Sequence, residues 1–330
     1  MRNLRWKSAL HSGALVLPLG PLAVLRPRAG DNLAALGPAR LVVRTGFKPD
    51  HDHFAAQGYA VAGDGPFAAV MVCLPRAKAE ARAMVAEACA LAPGGLVVVD
   101  GQKTDGIDAV FKECRARFAC SDPFAKAHGK LFSFVGTPDL TDWAARLTMV
   151  EGGFVTLPGV FSADGPDRGS RLLAAALPDD LPAKVGDLGA GWGYLSRAIL
   201  QRPGVKHLDV VEAEAVALAC ARQNLPDPRA AFHWADAITF RPDRLWGAVV
   251  MNPPFHAGRH ADPDLGAGFI RAAQRSLAPD GVLYMVANRH LPYAAVLAPL
   301  FRKVVEIGGD TAFRLYRAEA PIRLRPGTKP

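Results

Sequence analysis

The sequence is short of cysteine, of acidic residues and of long apolar runs, and each shortage excludes something. Its five cysteines, Cys73, Cys89, Cys114, Cys120 and Cys220, form no CxxC pair and no zinc-finger spacing. An odd, scattered set argues against a disulfide frame and fits reduced thiols, with Cys89 and Cys220 expected as small core residues of Ala-rich helices. No run approaches the roughly 20 apolar residues of a membrane span, so no membrane partner is expected. The stretch from Ala14 to Leu25, behind Arg2, Arg5 and Lys7, has the look of a secretion leader. Pro18, Gly20 and Pro21 interrupt it and no small-residue cleavage site precedes Arg26, so a cytoplasmic location is expected. Asp and Glu number 31 against 39 Lys and Arg, for a net charge of +8. That balance favours a polyanionic partner such as nucleic acid without naming one.

What is present is length and order. The 330 residues suggest two domains, and half of them are hydrophobic, enough to bury a sizeable core. From Lys184 onward the pattern alternates strands with helices. Strands are expected at Lys184–Leu188, His207–Val211, Ala231–Trp234, Trp246–Met251 and Val282–Val286, with a helix near Gly268–Leu277. That alternation indicates an α/β domain with a mostly parallel sheet covered on both faces. Lys303–Ile307 and Phe313–Tyr316, joined through Gly308, Gly309 and Asp310, read as an antiparallel hairpin closing the sheet edge.

Part of this order is repeated. Phe67 to Arg76 aligns without gaps on Trp246 to Phe255, and Leu91 to Val99 aligns on Leu277 to Met285 through a shared Leu-Ala-Pro-x-Gly turn. His128 to Phe134 matches part of the closing hairpin. The reading is a tandem duplication, with domains at 1–145 and 146–330 and a linker within 136–153. The first copy has Cys73-Leu74-Pro75-Arg76 where the second has Asn252-Pro253-Pro254-Phe255, and no glycine loop follows an early strand. It reads as a degenerate copy, left with structural or recognition work.

Chemistry concentrates in the second copy. Asp187, Gly189, Gly191 and Gly193 lie between a strand and a helix, where glycines allow a sharp turn and close approach to a nucleotide-like ligand. The G-x-G-x-G spacing suits a nucleoside-bearing methyl donor, and a dinucleotide remains an alternative. Glu212 ends the next strand, where a carboxylate can take both ribose hydroxyls, and Asp236 follows the third strand, within reach of an adenine amino group. The run Asn252-Pro253-Pro254-Phe255 suits an amino nitrogen conjugated to a ring or carbonyl. The Asn252 side-chain oxygen and the Pro253 carbonyl can accept its two N–H bonds, favouring a pyramidal nitrogen whose lone pair is available. Pro253 and Pro254 stiffen the loop, and Phe255 offers a face for a flipped base. His51-Asp52-His53 and His256, His260 and Asp262 have ligand-type side chains without further convergent ligands. They read as solvated loop residues, and no metal is expected.

These motifs resemble those of the methyltransferases that act on amino nitrogens of adenine, guanine or protein glutamine. The segment Thr156–Leu173, the run Asn252–His256 and the run Val286–Tyr293 resemble more narrowly the bacterial small-subunit ribosomal RNA guanine-N2 methyltransferases. The likeness is dense from about Thr156 to Ala318, thins across residues 31–135 and fails before about residue 30. It implies two tandem Rossmann-like methyltransferase domains, the first without cofactor binding, and S-adenosylmethionine as cofactor. It implies ribosomal RNA as partner. Separately, the chain is expected to act as a monomer. Asp187, Gly189, Gly191 and Gly193 would line the methionine moiety, Glu212 the ribose and Asp236 the adenine. Asn252, which also borders the cofactor, would hold the guanine together with Pro253, Pro254 and Phe255. The segment Phe161–Ser170 would fold over both ligands. Ala190 stands where the family often has cysteine, and Trp192 where a small residue is usual, so Trp192 is expected to reshape the entrance. Methylation of a large-subunit guanine, of adenine N6 or of glutamine N5 uses the same clamp. A non-catalytic RNA-binding assembly factor and a nicotinamide dehydrogenase are the alternatives of other classes.

Overall fold

A computed structural model describes residues 2–137, 139–254, 256–257, 260–261 and 263–323. It divides into two compact units, Met1–Leu147 and Thr148–Pro330. Among the described residues no helix is long and apolar enough to cross a membrane.

The first unit runs α1 (Arg2–His11), β1 (Leu22–Leu25), β2 (Leu41–Arg44), α2 (Lys48–Ala56), β3 (Ala69–Cys73) and α3 (Lys78–Leu91). It continues with β4 (Leu96–Gln102), α4 (Ile107–Arg115), β5 (Phe124–Lys126) and β6 (Gly129–Val135). Its six strands pair in the order β2-β1-β3-β4-β6-β5, parallel except for the last two junctions. Every residue of β1 and β3 is buried, as expected of central parallel strands covered on both faces. The leader-like stretch therefore ends in a strand of this sheet. His51 and His53 lie on α2 rather than on a loop.

The second unit begins with the short pair β7 (Thr148–Val150) and β8 (Phe154–Thr156), then α5 (Arg168–Ala176), β9 (Lys184–Leu188), α6 (Tyr194–Leu200) and β10 (His207–Glu212). Next come α7 (Ala215–Asn224), β11 (Ala230–Trp234), β12 (Trp246–Met251), and the two-residue strands β13 (His256–Ala257) and β14 (His260–Ala261). The remainder is α8 (Pro263–Ser276), β15 (Leu277–Asn288), α9 (Tyr293–Leu297), β16 (Phe301–Gly309) and β17 (Phe313–Pro321). The helix expected at Gly268 thus begins five residues earlier, at a proline suited to a first helical turn. The seven main strands pair as β11-β10-β9-β12-β15-β17-β16, and the closing hairpin is antiparallel with β17 inside and β16 at the edge. Two apolar clusters cover the sheet, one around Leu195, Leu208 and Val250 and the other around Trp246, Met251 and Ile270.

The two sheets share one strand order, with a difference at one edge. The second sheet ends in β11, whereas the first has only an isolated parallel bridge from Val42 to Ala60. Gly58, Gly63 and Gly65 crowd that segment, and glycine weakens a strand for want of side chains to pack.

Candidate active site

The parallel order β11-β10-β9-β12 brings four loops to the carboxyl edge of the second sheet. Chain direction across the sheet reverses between β9 and β12, and ligands of open α/β sheets bind in the crevice at such a reversal. Asp187 is the fourth residue of β9, Glu212 ends β10, Asp236 lies two residues past β11, and Asn252 directly follows β12. The fold brings these four acids and amides to one edge.

The loop after β9 is held by its backbone. Gly189 and Ala190 both donate N–H to the Val211 carbonyl, at 2.9 and 3.1 Å. Gly193 has φ +93°, a conformation that favours glycine, and a Cβ there would also press on the tip of the Leu225 side chain at 2.9 Å. Asp187 is fully buried. Its Oδ2 accepts from the Ser196 hydroxyl at 2.6 Å, while Oδ1 has no hydrogen-bond partner among the described residues. Burial pushes its carboxyl up to about 7, the Ser196 bond opposing and the nearby Glu212 charge adding. Glu212 Oε2 accepts from Gly191 N at 2.8 Å and Oε1 from Glu214 N at 2.7 Å. Burial also raises the Glu212 carboxyl, against those two N–H donors. Each oxygen keeps a second lone pair, so the pair can still accept two hydroxyl protons.

Asn252 is half-buried and its amide nitrogen donates twice, to Asp167 Oδ2 at 3.0 Å and to Ser170 Oγ at 2.9 Å. Its Oδ1 carries no hydrogen bond among the described residues. Pro253 is buried and Pro254 exposed; Phe255 lies outside the described residues. Asp167 and Ser170 come from the start of α5, where Asp167 caps the helix by accepting from Ser170 N at 2.9 Å. Neither was singled out by sequence reasoning, although an aspartate just before an amphipathic run is an N-cap signal.

Asp236 is half-buried, and its Oδ1 accepts from Ile238 N at 2.9 Å, a turn-forming bond. Trp192 packs inside the protein. Its ring is buried against Phe154 with Val160 and Cys220, and its Nε1 donates to the Phe161 carbonyl at 2.9 Å. An indole is large and apolar enough to leave an entrance for a pocket, and this one anchors the segment before α5 instead. No group of three ligand-type side chains is arranged for a metal among the described residues.

The corresponding edge of the first unit is filled with ion pairs. Arg2 bonds Asp31 at 2.7 Å and Asp100 at 2.9 Å, and the fully buried Arg5 bonds Asp100 through two nitrogens at 2.7 and 2.8 Å. The Trp6 indole adds a fourth N–H to Asp100 at 3.1 Å.

Comparison with known proteins agrees with this arrangement. Residues 151–317 match the family model of the methyltransferase small domain. The ribosomal RNA small subunit methyltransferase C of Shewanella amazonensis is 31% identical over 81% of this chain and 85% of its own. That of Aeromonas hydrophila is 30% identical over 95% and 96%. The solved structure of a T. thermophilus 16S rRNA N2 methyltransferase (RsmC), in complex with AdoMet and guanosine, has the same fold. It superposes with a TM-score of 0.79 over 96% of this chain and 91% of that one, at 24% identity. On the matched family model and on relatives of this identity and coverage, the chain belongs to the ribosomal RNA small subunit methyltransferase C family.

Proposed function

We propose that the protein transfers a methyl group from S-adenosylmethionine to the exocyclic N2 amino group of a guanine in 16S ribosomal RNA. The observation that carries this reading is the double donation by the Asn252 amide nitrogen, which leaves the amide oxygen without a hydrogen bond among the described residues, as an acceptor beside the proposed cofactor crevice. The family supports the substrate: its members are named for the small-subunit RNA, and the T. thermophilus relative was solved with AdoMet and guanosine.

The residues present fit the cofactor. The buried, unpartnered Asp187 Oδ1 is a place for an ammonium group, and the two Glu212 oxygens suit ribose hydroxyls. Gly189, Gly191 and Gly193 keep the loop bare enough for backbone approach, and Asp236 keeps acceptor capacity for an adenine amino group. S-adenosylmethionine supplies a methyl group activated on sulfur. The chain's own work lies at the acceptor. Asn252 Oδ1 and the Pro253 carbonyl hold the two N–H bonds of the amino group, which weakens conjugation and frees its lone pair. Pro253 and Pro254 hold the loop, and Phe255 stacks on the base. No strong base is needed, because the nitrogen loses a proton readily once methylated.

The first unit serves RNA recognition within a catalytically degenerate copy. Its crevice is closed by the Arg2, Arg5 and Asp100 ion pairs. Lys7 and Lys126 line a groove of about 540 Å³ with Ser8, His11, Ser12 and Phe124, a mixture of cations and aromatic rings that suits an RNA strand. We read the chain as a monomer acting in the cytoplasm, a reading supported by proposed site residues that all come from one chain and by the ribosomal RNA substrate proposed for it.

The test is methylation of 16S RNA and of small subunits with isotope-labelled S-adenosylmethionine, followed by nucleoside analysis. N2-methylguanosine is expected. Label on adenosine, or only in large-subunit RNA, would overturn the assignment.

A further inference from the structure

We propose that Asp167 is a positioning residue that sets which way the Asn252 amide faces, and so makes the clamp an acceptor only. The inference rests on the reading that Asn252 holds the amino group.

A free asparagine amide can present its oxygen or its nitrogen to a ligand by rotating half a turn. Asp167 removes that choice. An ionised carboxylate only accepts, so it attracts the amide nitrogen and repels the amide oxygen. The Nδ2–Oδ2 separation of 3.0 Å, with the second bond to Ser170 Oγ at 2.9 Å, uses both amide hydrogens. The oxygen that remains can take only an N–H or O–H donor, which is the polarity an amino nitrogen presents.

Asp167 is itself fixed by the helix it caps. Ser170 N donates to the same Oδ2 at 2.9 Å, and Arg171 N donates to the Asp167 carbonyl at 2.9 Å. Gly169 lies between them, and a Cβ there would come within 3.0 Å of both Asp167 Oδ2 and the Phe313 ring. The buried Ser170 hydroxyl completes the set. The arrangement also explains why the clamp begins with asparagine rather than aspartate. A carboxylate at position 252 would face the Asp167 carboxylate with no proton between them.

Exchange of the two residues tests this. Asn252→Asp is expected to lose roughly 100-fold in single-turnover rate. The double variant Asn252→Asp with Asp167→Asn removes the carboxylate–carboxylate contact and lets an amide nitrogen at 167 face the residue-252 carboxylate, whose other oxygen stays the acceptor, while giving up the cap bond that Ser170 N makes to Oδ2. It should recover at least about 10-fold over Asn252→Asp, the worth of one such bond. Asp167→Ala should lower the rate by about 10-fold with little change in the KM for RNA. S-adenosylmethionine affinity and the melting temperature serve as folding controls. A double variant that binds cofactor yet is no faster than Asn252→Asp, or an Asp167→Ala protein of undiminished rate, overturns the role of Asp167. A fully active Asn252→Ala variant would instead remove the clamp reading on which the role depends.

Discussion

Arg26 stands in the first sheet where Gly189 stands in the second. Each follows the first strand of its sheet with a positive φ, +56° and +74°. Each donates its N–H to the carbonyl of the strand alongside, Arg26 to Arg44 at 2.7 Å and Gly189 to Val211 at 2.9 Å. The backbone turn has survived where its glycine has not. A long side chain now occupies a position that must be bare for a nucleoside to approach. Calorimetry on the full chain should therefore show one S-adenosylmethionine bound per chain, and Gly189→Arg should abolish that binding. A stoichiometry of two would show that the first unit retained its site.

With Asp187 in its proposed place beside the cofactor's ammonium group, cofactor binding should depend on pH. The Asp187 carboxyl is raised to about 7, so near neutrality much of it is protonated in the free protein. Because the folded value lies above the ordinary one, its contribution to stability is full below about pH 4 and is lost as pH rises through about 7. Ionisation at Asp187 is favoured by a bound ammonium, so binding should tighten between about pH 6 and 8 and release a proton. Titrations in buffers of different ionisation enthalpy would detect that proton. Asp187→Asn should bind more weakly and without the pH dependence.

Asp209 behaves in the opposite sense. Burial works to raise its carboxyl, but His233 at 2.8 Å, Trp246 at 2.6 Å and His207 at 3.0 Å outweigh burial and hold it far below the usual range. Its stabilisation is present above the ordinary carboxylate value and is lost as pH falls through the depressed one. Asp209→Ala should cost about 3 kcal/mol at neutral pH by thermal unfolding, because it strands the Trp246 N–H and removes a buried partner. The gap between variant and parent should close in strong acid.

The groove on the first unit has its own consequence. Replacing Lys7 and Lys126 together by glutamate should raise the KM for RNA several-fold and flatten its salt dependence. Cofactor affinity should not move. An unchanged KM would assign RNA recognition to other surfaces.

The second sheet was largely legible because its signals are local. Asp187 near the end of β9 is followed within a few residues by Gly189, Gly191 and Gly193, and the Asn252–Phe255 run directly follows β12. The duplication was legible because the Leu-Ala-Pro-x-Gly turn recurs between matching strands. Residues 1–30 were not, since β1 is only four residues long and draws its stability from β2 and β3 on either side. The Arg5–Asp100 pair joins positions 95 apart, and Asp167 reaches Asn252 across 85, so no spacing rule exposes either. The packing of Trp192 was hidden for the same reason: its partners Phe154 and Phe161 lie more than 30 residues upstream.

The most direct test is a map of N2-methylguanosine across both ribosomal RNAs in a strain deleted for this protein. The account predicts that one such nucleotide disappears from 16S RNA alone. It should return with the wild-type gene and not with Asn252→Ala, whose turnover should be down roughly 100-fold at unchanged cofactor affinity. An intact 16S pattern, or full restoration by Asn252→Ala, would contradict it.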